Sequence, residues 1–122
     1  MLNLLFAVKN HKSVKEIEVL EFIEEKDLNY LKIKTTLQDN SILYIREVVT
    51  PSEDKYSYHW VSPDGEFLLR WDNAPHWKEI ETYPHHLHQG PEEEVRPSSK
   101  VAIIDVLDWI LDHIADSQEE KR

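Results

Sequence analysis

The sequence predicts an α+β fold: a five-stranded, mainly antiparallel sheet with a short N-terminal helix and a C-terminal helix packed on one of its faces. Apolar residues alternate at every second position through the middle of the chain and recur at helical spacing near its two ends. Most connections between the alternating stretches are short, which favours antiparallel neighbours with helices on one side of the sheet. With 122 residues, the chain is expected to form a single domain over residues 1–115, followed by a flexible acidic tail over residues 116–122.

The first helix is predicted from Leu2 to about Lys9, where apolar side chains recur at helical spacing. Five strands follow, in the stretches VKEIEVLEFIEE, LNYLKIKTTL, ILYIREVV, KYSYHWV and FLLRWDN. The last helix lies in KVAIIDVLDWILDHI, and Ser98 or Ser99 is expected to cap it. Its apolar stripe consists of Ile103, Val106, Leu107, Ile110 and Ile114.

A long irregular loop is predicted between the fifth strand and the last helix. This segment, APHWKEIETYPHHLHQGPEEEVRP, contains four prolines and the second of the two glycines. Long segments without regular structure are more often functional than simple connections. We therefore expect the loop to contribute to a site.

The composition limits the classes of function. The net charge of −10 argues against nucleic-acid binding through one broad basic face, but it allows a cleft that is locally positive. Because the chain has no cysteine, disulfides, a thiol nucleophile and cysteine-ligated metals are excluded. This composition fits a cytoplasmic location. No stretch approaches the length of a membrane span, so no membrane partner is expected.

The Asp64-Gly65 pair predicts a hairpin with a two-residue loop. In that register His59 faces Arg70 and Ser57 faces Asp72, and these four side chains share one face. The opposite, apolar face consists of Tyr56, Tyr58, Trp60, Phe67, Leu69 and Trp71. The polar face is either a solvated surface with a cross-strand ion pair, or a site in which histidine exchanges protons and arginine holds a phosphate. Tyr44 and Arg46 of the third strand are candidates for the same face.

The long loop after Asp72 supplies four more histidines: His76, His85, His86 and His88. In an extended chain His86 and His88 point the same way and could bind one metal, with a carboxylate such as Asp72 or Glu79, whereas His85 points to the other side. The competing interpretation is that these are loop histidines bonded to backbone carbonyls. The sequence otherwise predicts no cofactor.

Three sequence blocks in order resemble the TumE-like family of toxins from type II toxin–antitoxin modules. The blocks are YSYHW at residues 56–60, RWDNAPH at residues 70–76 and PHHLHQG at residues 84–90. The resemblance covers roughly Leu31 to Ile114. It implies a small cytoplasmic protein that is neutralised by a cognate antitoxin carrying a helix-turn-helix domain, and it implies no particular mechanism.

The first functional hypothesis is a toxin that acts on RNA as a metal-independent endoribonuclease. One histidine would act as general base on a ribose 2′-hydroxyl and another as general acid, while Arg70, with Arg46, would stabilise the charged phosphorane and Asp72 would orient a histidine. The candidate catalytic residues are Arg46, His59, Arg70, Asp72, His76, His85, His86 and His88.

Two alternatives stay open at this point. One is a non-catalytic binding module that is neutralised by its antitoxin. The other is a metal-dependent hydrolase that uses His86 and His88 as ligands. A homodimer is compatible with the sequence in each case.

Overall fold

The computed structural model describes residues 1–120 as two helices and one sheet. Each strand pairs antiparallel with the next along the chain, so the sheet is a simple meander in the order β1 to β7. The elements are α1 (Leu2–Lys9), β1 (Val14–Glu25), β2 (Leu28–Leu37), β3 (Ile42–Val49), β4 (Asp54–Val61), β5 (Phe67–Asp72), β6 (His86–Gln89), β7 (Glu94–Pro97) and α2 (Ile103–Glu120). Among the described residues, no helix is long and apolar enough to cross a membrane.

The core lies between one face of the sheet and α2, with Val8 of α1 at its edge. The predicted apolar stripe of α2 is confirmed, because all five of its residues are buried. Alternate residues of β2 and β3 meet this stripe, among them Leu31, Ile33, Leu43 and Ile45, each fully buried. The α+β class and the helices on one face are therefore as predicted.

The sheet has seven strands, so the predicted number of five is wrong. The two additional strands, β6 and β7, lie within the segment that was expected to be an irregular loop. Each is only four residues long, which is too short for a two-residue period to stand out, and prolines lie on both sides. A tight turn joins them, with Gly90 at φ 76° and Glu93 at φ 53°. Pairing of β6 with β5 therefore stabilises a strand that its local sequence does not indicate.

The β4–β5 hairpin has a three-residue loop, not the predicted two-residue loop. Ser62 and Glu66 close it, with the Ser62 N–H donating to the Glu66 carbonyl at 2.8 Å, and Gly65 occupies φ 88°. Further along, Val61 pairs with Phe67 but Trp60 pairs with Leu69, so Leu68 is an extra residue in a β-bulge. The bulge compensates for the longer loop, and the predicted pairs His59–Arg70 and Ser57–Asp72 are confirmed.

The same bulge moves Phe67 away from the core. Its ring lies 5.2 Å from the ring of His59, on the face opposite α2, so its predicted place on the apolar face is wrong. Leu68 packs against the core instead. The other members of the predicted apolar face are buried, namely Tyr56, Tyr58, Trp60, Leu69 and Trp71.

The last helix begins at Ile103, later than expected, and the predicted serine cap is wrong. The Asp105 carboxylate accepts a hydrogen bond from the Ala102 N–H at 3.2 Å, which satisfies a free donor at the helix start. The flexible tail over residues 116–122 stays a prediction: α2 is described as far as Glu120, and residues 121 and 122 lie outside the described part of the chain.

At one edge of the sheet, β1 is the longest strand, with 12 residues. Three of its apolar side chains are exposed, Val19, Leu20 and Phe22. Its pairing with β2 is interrupted twice by register shifts, after Val14 and after Val19.

One buried hydrogen bond supports the core beneath the β3–β4 strands. The Trp60 indole N–H donates to the Ser41 hydroxyl at 2.9 Å, and Ser41 is fully buried. Because both groups are buried away from water, this bond gives the Trp60 N–H an acceptor that it would otherwise lack.

We expect Ser41→Ala to lower the free energy of unfolding by about 1–3 kcal/mol, since it leaves the buried Trp60 N–H without an acceptor. Urea unfolding followed by tryptophan fluorescence measures this change. The matched control is Ser52→Ala at an exposed position, which should stay within about 0.5 kcal/mol of the parent. Equal effects at the two positions would contradict the role given to Ser41.

Candidate active site

Two rows of directly paired residues cross the face of the sheet that the helices leave open. They arise because side chains of antiparallel neighbours stand opposite one another and alternate between faces. The first row consists of Lys32, Arg46, Ser57, Asp72 and His86, and the second consists of Lys34, Tyr44, His59, Arg70 and His88. The open face therefore concentrates cations, histidines and one carboxylate from five strands.

The β5–β6 end of the two rows forms a compact cluster of Asp72, His86 and His88. The His86 Nε2 lies 2.8 Å from Asp72 Oδ1 and 3.1 Å from the His88 Nε2, and the His88 Nε2 lies 3.5 Å from Asp72 Oδ2. All three side chains are buried, with 1% exposure for His86 and 7% for the other two residues. Two imidazole nitrogens and the two oxygens of one carboxylate thus lie together, and each of them is a potential ligand or proton-transfer atom.

Asp72 is held by two further donors. The Ala74 N–H donates to Oδ1 at 3.0 Å and the Arg70 Nε–H donates to Oδ2 at 3.1 Å. On its other side, Arg70 Nη1 lies 3.7 Å from the Glu93 carboxylate. These bonds fix the carboxylate in place and compensate for its burial.

A hydrogen bond to the backbone orients the His86 ring. The His86 Nδ1 lies 2.9 Å from the Pro84 carbonyl, to which it can only donate, so its Nε2 is the nitrogen that faces Asp72 and His88. The His88 Nε2 is the nitrogen that faces His86. Burial lowers the pKa of His88, and the charge of Arg70 lowers it further. His88 is therefore a neutral imidazole near pH 7.

Beside this cluster the open face contains a cleft made of two adjoining hollows of about 680 Å³ and 310 Å³. Arg46 and Ser57 line both hollows. The cations that line the cleft are Lys32, Arg46, Lys55 and Arg70. Among the described residues that line it, Asp72 is the only acid. With four cations and one acid, the lining of the open-face cleft has a formal charge of +3 in a chain with a net charge of −10. Glu53, outside the lining, pairs with Lys55 at 3.1 Å.

Arg46 lies in the middle of the open-face cleft and is exposed. Its Nε–H donates to the Tyr30 hydroxyl at 3.2 Å, and its guanidinium lies 5.4 Å from the centre of the same ring. Tyr30 positions the guanidinium without neutralising it. Its charge is therefore available to a bound anion.

His59 lines one hollow of the open-face cleft and His76 lines the other. The His59 ring lies between Tyr44, at 6.2 Å, and Phe67. Burial lowers its pKa, and the charge of Arg70 lowers it further. His59 Nε2 is buried and has no hydrogen-bond partner within the part of the chain described. His76, in contrast, is exposed at the rim.

His85 is not brought into the open-face cleft. It points to the opposite side of the sheet, where its Nδ1 lies 2.9 Å from the Tyr56 hydroxyl and its ring stacks on that of Tyr56. Glu79 is exposed and is not part of the three-residue cluster. The structure thus brings together Asp72, His86 and His88, places Arg46, His59, Arg70 and His76 around the cleft beside them, and leaves His85 outside.

Three groups of the open face were not predicted from the sequence as site residues: Lys32, Lys55 and Tyr30. The alternation in LNYLKIKTTL did place Tyr30 and Lys32 on one face of β2. It could not show that this face is the one shared with Arg46, because that requires the β2–β3 register. Lys55 faces Val48 at the start of β4 and reaches the cleft from there.

Comparison with known proteins identifies the family. A family model described as "Toxin TumE" matches residues 4–118, which is wider than the span of about residues 31–114 over which the sequence blocks resemble it. Neither the curated proteins nor the solved structures gave a match to the chain. The matched region contains all seven strands and most of both helices. The chain therefore belongs to the TumE toxin family.

Proposed function

We propose that this protein is the toxin of a toxin–antitoxin module and that it cleaves RNA in the open-face cleft by acid–base catalysis without a catalytic metal. The observation that supports this function is the collection of four cations in one cleft of an acidic protein. A cleft that is lined by charges of one sign raises the local concentration of a ligand of opposite charge. A polyanionic backbone such as that of RNA is the ligand chemistry it fits.

The first step is the binding of a phosphodiester between Arg46 and Arg70. Both guanidinium groups line the larger hollow, together with Lys55. Arginine binds phosphate oxygens through two parallel hydrogen bonds, which orients the group as well as attracting it. Ion pairs with Asp72 and Glu93 hold the Arg70 side chain in position.

The chemical step is an attack of the ribose 2′-oxygen on the adjacent phosphorus. His59, which is neutral near pH 7, takes the proton of the 2′-hydroxyl as general base. The new bond to the 2′-oxygen forms as the bond to the 5′-oxygen breaks, and His76 donates a proton to that leaving oxygen. The products are a 2′,3′-cyclic phosphate and a 5′-hydroxyl. Arg46 and Arg70 stabilise the charge on the phosphorane.

We assign His86 and His88 to positioning, because both are buried and bonded around Asp72. Asp72 in turn fixes Arg70 at the wall of the open-face cleft. The proposed partner is a helix-turn-helix antitoxin and the proposed location is the cytoplasm, both inferred from the family resemblance. A homodimer stays a prediction.

Metal-dependent hydrolysis is the second candidate function. The convergence of Asp72, His86 and His88 favours it, since two imidazoles and a carboxylate form a common ligand set for catalytic metals. Asp72, His86 and His88 would hold the ion, which would supply an activated water as nucleophile, so cleavage would not need the 2′-hydroxyl. The two candidates therefore differ in the substrates they cleave.

We expect His59→Gln and His76→Gln each to reduce RNA cleavage by about 10²- to 10⁴-fold, as is typical for loss of a general acid or base. Growth arrest on induction without antitoxin should disappear in parallel. The matched control is His113→Gln, an exposed histidine of α2 on the other side of the sheet. Circular dichroism and antitoxin binding should be unchanged in all three variants. Loss of antitoxin binding together with toxicity would instead indicate a non-catalytic binding module.

An RNA oligonucleotide with a single 2′-deoxy residue at the cleavage site should resist cleavage, because the attacking oxygen is absent. The unmodified oligonucleotide should give a 2′,3′-cyclic phosphate, detected by mass spectrometry. Cleavage of the 2′-deoxy substrate at an undiminished rate would favour the metal-bound water of the second candidate.

The pKa of His59 should lie below 6.5, chiefly because the ring is buried and secondly because Arg70 is positively charged. A base of this kind is lost only when the pH falls through that lowered pKa, so cleavage should remain active at pH 6.5 and decline below it. Arg70→Gln removes the second cause and should raise the pKa of His59. Nuclear magnetic resonance titration of the imidazole protons measures both values. A pKa that stays the same or falls in Arg70→Gln would contradict the proposed arrangement.

A further inference from the structure

We propose that Asp72, His86 and His88 bind one divalent transition-metal ion, with Zn²⁺ as its representative. The site lies behind the open-face cleft, where it joins β5 to β6. The proposal concerns binding alone and does not depend on the proposed cleavage of RNA.

The spacing of the three ligand atoms fits a single ion. One ligand atom from each residue lies within 4.8 Å of the other two. The His86 Nε2 lies 2.8 Å from Asp72 Oδ1 and 3.1 Å from the His88 Nε2, and the His88 Nε2 lies 3.5 Å from the other carboxylate oxygen, Oδ2. For metal–ligand bonds of about 2.1 Å in a tetrahedral arrangement, neighbouring ligand atoms lie roughly 3.4 Å apart. The observed separations lie around this value, so the ion needs only small shifts of the side chains.

A hydrogen bond to the backbone orients the His86 imidazole as a metal ligand. His86 donates its Nδ1–H to the Pro84 carbonyl, so a neutral ring directs the bare lone pair of Nε2 at Asp72. A lone pair 2.8 Å from a carboxylate oxygen is repulsive unless a proton or a metal ion lies between them. Histidines that bind metals are usually held in this way by an outer acceptor.

The carboxylate is prepared by the same principle. The Ala74 N–H and the Arg70 Nε–H each donate to one oxygen of Asp72, which fixes the orientation of the group. The positive charge of Arg70 opposes a cation, but Glu93 lies 3.7 Å from its guanidinium and offsets part of that charge. Asp72 also lines the open-face cleft, which gives the ion a path of entry.

The ligand types indicate which ion is bound. Two imidazole nitrogens and one carboxylate suit Zn²⁺ and its neighbours in the transition series, whereas Mg²⁺ prefers oxygen ligands. Four-coordinate zinc with three protein ligands leaves one position for water. Because three deprotonated groups are required, binding should weaken as the pH falls.

Isothermal titration calorimetry of the chelator-treated full chain with ZnCl₂ tests the proposal at pH 7, with MgCl₂ as the comparison ion. We expect one Zn²⁺ per chain, no comparable binding of Mg²⁺, and a higher melting temperature in Zn²⁺ than in chelator. His86→Ala and His88→Ala should each weaken Zn²⁺ binding by more than the roughly 10- to 100-fold that loss of an outer partner costs. The matched control is His85→Ala, whose ring lies on the opposite side of the sheet and should leave the affinity unchanged.

Visible absorption of the Co²⁺-loaded parent protein gives a second readout, compared with an Asp72→Asn variant whose circular dichroism matches that of the parent. Bands of a tetrahedral nitrogen–oxygen site that disappear in Asp72→Asn would support the proposal. Absence of Zn²⁺ binding to the parent protein would overturn it and leave a proton as the group that joins His86 to Asp72. Binding that survives in both alanine variants would overturn it equally. Since no RNA is present, these outcomes are independent of the cleavage assays.

Discussion

The open face depends on one constraint, the two-residue alternation of side chains in five consecutive antiparallel strands. The apolar half of each strand must meet α2, because that helix presents the stripe that closes the core. Its polar half is then forced to the other side, where residues of β2 to β6 stand opposite one another. Changing the register of one strand by one residue would exchange the two faces. The positions of the candidate functional groups on these strands therefore follow from the packing of the core, whereas His76 lies in the connection between β5 and β6.

The hairpin shows how a register can be predicted correctly from an incorrect loop. The sequence placed Asp64 and Gly65 alone in the turn, whereas the loop has three residues. The error is cancelled because Leu68 bulges, an adjustment that depends on packing and has no local signal. His59 and Arg70 are paired as predicted, but Phe67, which lies between the loop and the bulge, is on the other face. Positions beyond a bulge are thus more predictable than those within it.

The histidine-rich segment was only partly predictable for a different reason. Local periodicity was enough to separate His86 and His88 from His85, and the structure has these side chains on opposite sides of the sheet. Nothing local showed that the segment forms a strand or that it pairs with β5. The contact between Asp72 and His86 depends on that pairing.

The edge strand β1 has a consequence for how the molecule meets other copies of itself. An open strand edge with exposed apolar side chains is a template on which another chain can add. Here the apolar groups are interspersed with carboxylates, and the two register shifts disturb the regular spacing that a new strand would have to match. The exposed glutamates of this strand are Glu16, Glu18, Glu21, Glu24 and Glu25. An identical strand placed against this edge would bring like charges together. Their repulsion disfavours the edge-to-edge pairing of copies that leads to fibres, although the edge is long and free.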